Sequence, residues 1–88
     1  MQMTKQQFDS AVESLQQGVC DSELDARVFT AACFVIKQRE GVPDDVEWHA
    51  PPEPELMSMV REFLTGLSAI QRKRLKRIAE SLEKTTLH

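Results

Sequence analysis

Val28-Phe29-Thr30-Ala31-Ala32-Cys33-Phe34-Val35-Ile36 is the longest apolar-rich run in the chain, and whether it is helix or strand decides the fold. Two alanines at its centre are poor strand residues, and no turn flanks it closely. Read as helix, Leu24, Val28, Ala31, Ala32 and Val35 form one stripe. Phe29, Cys33 and Ile36 form a second beside it, with Phe34 adding width. A helix apolar over most of its circumference must be enclosed by others. The run therefore predicts a central second helix in an all-α domain, or one buried where two copies associate.

The limits of this helix follow from local chemistry. Ser22 and Asp25 have capping-box spacing, and Glu23 and Asp25 suit the positive end of the helix dipole. Gly41, followed by Val42-Pro43, ends it. Upstream, Thr4 and Gln7 form another capping box, and Met3 and Phe8 hold the two positions of a hydrophobic staple. Phe8, Ala11, Val12 and Leu15 recur at helical spacing, and Gly18 is placed for a left-handed cap. Downstream, Pro54 opens a third helix carrying Leu56, Met57, Val60, Phe63, Leu64 and Leu67. Gly66 breaks it, and Ser68 with Gln71 caps a fourth, striped by Leu75, Ile78, Ala79 and Leu82. Met57 and Met59 read as gap-fillers, with Met59 off the main stripe and exposed.

The expected architecture is a single helical domain over residues 1–88, with helices at 4–17, 22–40, 54–65 and 68–84. The last two form a helical hairpin, and a tail from Thr85 frays. Residues 41–53 form an acidic, Pro-rich loop pinned to the body by Trp48, the chain's one tryptophan. This loop allows a wider crossing than the short connections after the first and third helices.

Charge is segregated. Residues 1–62 hold five basic and twelve acidic side chains, and residues 63–88 hold six and two. Five of those six cations are Arg72, Lys73, Arg74, Lys76 and Arg77. On a helical projection Arg72, Lys73, Lys76 and Arg77 spread over the face opposite Leu75, Ile78 and Leu82, with Arg74 at its edge. They lie in the early turns, where the helix dipole disfavours each cation by roughly 0.3–1 kcal/mol. A compensating anion is expected: Glu40, Asp44, Asp45 and Glu47 folded back, a partner protein, or a phosphate backbone. Glu80 reaches Lys76 and Lys84 at four-residue spacing.

The stretch Leu56–Leu82, with Thr-Gly-Leu-Ser between two helices, is similar to a helix-turn-helix over about 20 residues. That resemblance would imply DNA reading by the basic helix. The chain departs from the family's pattern at Glu62 and Arg72, where charges replace the small and β-branched residues that pack the two helices together. The cluster also contains no aromatic residue to stack bases.

No catalytic constellation stands out. Cys33 reads as an inert core thiol, whereas Cys20, near a helix N-terminus, is the one candidate for mild thiol reactivity. Two cysteines thirteen apart, with His49 in a loop and His88 terminal, match no zinc spacing. Three scattered glycines make no phosphate loop. No cofactor or metal is expected.

The absence of an export signal and of any span near ~20 apolar residues points to the reducing cytoplasm, with free thiols and no membrane. A core this small is marginal alone, which favours a dimer. The leading expectation is a non-enzymatic regulatory protein, dimeric, that binds a protein partner through a helical surface and a charged patch. Arg72, Lys73, Arg74, Lys76, Arg77 and Trp48 are its candidate contacts. The alternative is a small nucleic-acid-binding regulator using Arg72–Arg77.

Overall fold

The computed structural model describes residues 3–43 and 52–86, with side chains as far as Leu82. Four helices occupy them: α1 (Lys5–Gln16), α2 (Glu23–Arg39), α3 (Glu53–Thr65) and α4 (Ala69–Thr86). No strand is present among the described residues. The helices pack into an all-α domain, as the 28–36 run requires.

Three of the four starts are set by the capping boxes read from the sequence. Thr4 Oγ1 accepts from the Gln7 amide at 3.0 Å, and Gln7 Oε1 accepts from the Thr4 amide at 3.0 Å. Ser22 Oγ accepts from the Asp25 amide at 3.1 Å, while Asp25 Oδ2 accepts from the amides of Asp21 and Ser22. That carboxylate is 7% exposed, and the two amides supply the polar partners its burial demands. Ser68 and Gln71 make the same reciprocal pair ahead of α4. The start of α3 differs: Pro52 precedes it with no side-chain cap, and the helix begins at Glu53, one residue before Pro54.

Gly18 and Gly41 follow α1 and α2 with φ of +80° and +78°, the left-handed conformation that a Cβ opposes. Gly66 ends α3 at φ −89°, which any residue can adopt. At the other end of the chain, α4 runs to Thr86, two residues beyond its expected limit at 84. Neither Gly nor Pro intervenes at 84 to stop the helix. Residues 87–88 lie outside the described residues.

The central role of α2 is borne out: it contacts α1, α3 and α4. Across 28–36 only Thr30 is exposed, and its hydroxyl donates to the Ala26 carbonyl at 2.9 Å. Val28, Ala31, Ala32 and Ile36 are buried, and Phe29, Cys33, Phe34 and Val35 are half-buried. The core adds Met3, Phe8, Ala11, Val12 and Leu15 from α1 and its staple, Val60 and Leu64 from α3, and Leu75 and Ala79 from α4. Met59, although off the main stripe, is half-buried and packs against this core, as a gap-filler does.

The C-terminal ends of α2 and α3 lie together, since the Arg39 guanidinium sits 4.9 Å from the centre of the Phe63 ring. Arg61 Nε donates to the Gln16 carbonyl at 2.9 Å and ties α3 to the end of α1.

Candidate interaction surface

The five cations of α4 do not share one environment. Leu75 and Ala79 face the core, and the helical period distributes the cations around them. Arg72 and Lys76 flank the core on the α1 side and are half-buried, whereas Lys73, Arg74 and Arg77 are exposed. The expectation that Arg72 and Lys76 lie on the face opposite the core is therefore corrected. Side chains of Lys5, Phe8 and Asp9 from α1 border their flank.

Two anions among the described residues answer these cations, one expected and one not. Arg72 Nη1 lies 3.5 Å from Asp9 Oδ1 of α1, and Lys76 Nζ lies 3.9 Å from Glu80 Oε2 one turn on. The Lys76–Glu80 pair was readable from its spacing. Asp9 was not singled out, because nothing local links it to residue 72. Asp44, Asp45, Glu47, Trp48 and His49 lie outside the described residues, as does the expected docking of their loop. Lys73, Arg74 and Arg77 have no acidic partner among the described residues.

One side of α4 borders an apolar groove. Val35 of α2, Phe63 of α3, Leu67 and Ile78 line a cavity of about 290 Å³, with Arg39 and Arg74 at its rim. It continues past Phe63 and Leu67 toward Met59 and Glu62. Beside it, Ile70 is 78% exposed, one helical turn before Arg74. Ile70 escaped the sequence reading because it lies off the stripe of Leu75, Ile78, Ala79 and Leu82. That displacement was itself the available signal.

Glu62 and Arg72, the two departures from the helix-turn-helix pattern, do not pack α3 against α4. Glu62 is exposed beside the groove, and Arg72 turns to α1.

The thiols are held protonated. The Cys20 pKa is raised, first by partial removal of water and then by the carboxylates of Asp25, Asp21 and Glu53. Loss of water and neighbouring carboxylates both disfavour the thiolate, which argues against the mild reactivity considered for Cys20. Burial pushes Cys33 up to about 11, consistent with an inert core thiol. Both cysteines are unpaired by disulfide. Among the described residues no group of three or more His, Cys, Asp or Glu side chains could hold a metal ion. No helix among them is long and apolar enough to cross a membrane.

Comparison with protein-family models, with curated proteins and with solved structures finds no match to this chain.

Proposed function

We propose that the chain is a small non-enzymatic regulatory protein that occludes or bridges a protein partner through α4 and the groove beside it, acting as a dimer in the cytoplasm. The observation that carries this reading is Ile70, 78% exposed one helical turn before Arg74, which lines the groove of Val35, Phe63, Leu67 and Ile78. An exposed large apolar side chain one helical turn from Arg74, at the rim of an apolar groove that Arg39 also borders, suits an amphipathic surface carrying carboxylates. Two thiols with raised pKa values support a role other than nucleophilic catalysis.

Dimerisation is supported by the core. Of the thirteen buried apolar side chains among the described residues, four are alanines, so these contribute little apolar area to the isolated chain.

The test compares proteins retained from the native host by the wild-type chain and by Ile70→Asp and Arg74→Glu. Both positions are exposed, so the variants fold; the reading requires that one or more retained proteins are lost from both. An unchanged retained set sinks it. A dilution series by sedimentation should show dimer at micromolar concentration, and monomer throughout removes that part.

A nucleic-acid backbone is the second reading, favoured by the exposure of Lys73, Arg74 and Arg77. It requires duplex DNA binding at low salt that falls steeply as salt rises, and falls again when Lys73 and Arg77 become Ala.

A further inference from the structure

The other side of α4 faces α1 across a second cleft. Ala69, Arg72, Lys73 and Lys76 stand at i, i+3, i+4 and i+7, and so share one face of the helix. Lys5, Phe8 and Asp9 stand at i, i+3 and i+4 on α1 and face them. Together they enclose a cavity of about 320 Å³.

Its walls carry four cations and one carboxylate. Asp9 is shared between two of the cations, 3.6 Å from Lys5 Nζ and 3.5 Å from Arg72 Nη1. Lys76 has a second neighbour in Glu80, which lies outside the lining. Lys73 has no acidic partner among the described residues. The cleft thus holds a surplus of positive charge that the packing of α1 on α4 does not neutralise. Like charges brought into one cleft repel, and the early turns of α4 add the unfavourable end of the helix dipole. An anion entering the cleft would offset this repulsion.

We propose that this cleft is a binding site for a phosphate-class oxyanion. Lys5 and Lys73 would close on it from the two helices, and Arg72 and Lys76 would line its inner wall. Ammonium and guanidinium donors give short, charge-assisted hydrogen bonds to such an anion. Phe8 and Ala69 leave apolar surface beside the charge, so an organic phosphate fits as well as the inorganic ion. This site lies on the opposite flank of α4 from Ile70 and Arg74. Its failure would leave the partner-protein reading standing, and the converse also holds.

The experiment is a thermal and calorimetric titration with inorganic phosphate and, separately, adenosine monophosphate, against chloride at matched ionic strength. The wild type should gain thermal stability saturably with phosphate, beyond any effect of chloride. Lys5→Gln and Lys73→Gln should each weaken phosphate binding by roughly tenfold, the loss of one charge-assisted bond. Arg77→Gln, outside the lining, should leave it unchanged. In chloride alone Lys73→Gln should melt at or above the wild-type temperature, because removing one cation relieves the repulsion.

Tighter binding of the nucleotide identifies an organic phosphate, and equal binding identifies the inorganic ion. A stabilisation that chloride reproduces, or an equal loss in Arg77→Gln, overturns the site. A Lys73→Gln chain that melts well below wild type in chloride also overturns it, since Lys73 would then be structural.

Discussion

The backbone amide of Met3 donates to Glu80 Oε2 at 2.8 Å, joining the segment that leads into α1 to the second half of α4, 77 residues away. The same oxygen lies 3.9 Å from Lys76 Nζ. One carboxylate therefore holds the hydrophobic staple at Met3 in the core and offsets a cation of the basic helix. A hydrogen bond to a charged group contributes about 1.5–3 kcal/mol, at the lower end where water has access, as it does here. Glu80→Ala should lower stability to urea by about 1–2 kcal/mol. Glu80→Gln keeps an acceptor for Met3 and should lose less. Equal losses in the two variants would show that the charge of the carboxylate, which both remove, carries the contact rather than the acceptor or the side-chain stem.

The glycines after α1 and α3 make opposite predictions. Gly18 has φ +80°, so Gly18→Ala imposes a strained left-handed residue and should cost about 1–2 kcal/mol. Gly66 has φ −89°, and a Cβ there would meet only the Glu62 and Phe63 carbonyl oxygens at 3.9 Å. Gly66→Ala should be neutral, or stabilising by about 0.4–1 kcal/mol through the unfolded chain. Chemical denaturation of the two single variants checks both signs at once.

The contrast between these glycines shows what the sequence could convey. Caps are local: Thr4 with Gln7, Ser22 with Asp25 and Ser68 with Gln71 each place donor and acceptor three residues apart, so spacing alone reveals them. The central place of α2 is equally readable, because a helix with apolar residues on nearly every side has no face left for water. Gly66 reads as a break, but its conformation depends on how α3 hands over to α4. Arg72–Asp9 and Met3–Glu80 are hidden for a related reason. They are side-chain links between the N-terminal segment of the chain and α4, made only in the folded chain, and neither sequence neighbourhood announces the other. The basic cluster was visible as composition. Its division into an α1-facing cleft and a groove-facing rim required the packing.

Ala31 and Ala32 make that packing close. Both are 0% exposed at the middle of α2, where the neighbouring helices approach. Enlarging a residue in such a position forces neighbours off their rotamers at a cost of about 1–3 kcal/mol. Ala32→Leu should therefore destabilise the fold although Leu is a good helix former, and Thr30→Leu, at the exposed position of the same run, should not. Urea midpoints of the two variants separate packing from propensity. A harmless Ala32→Leu would mean that α2 has slack against its neighbours.

The Cys33 thiol offers a readout of the same core from the inside. Burial raises its pKa from 9.0 to about 11 in the folded chain. The folded state thus keeps the proton more tightly than the unfolded state. The contribution to stability is full below pH 9.0 and is lost as pH rises through about 11. In a Cys20→Ser background, thiolate absorbance should titrate with a midpoint near 11, and alkylation at neutral pH should be slow. The alkaline fall in stability should be shallower in Cys20→Ser/Cys33→Ala than in Cys20→Ser. A thiolate midpoint near 9.0 in the folded protein would place Cys33 in water and open the packing between α2 and its neighbours.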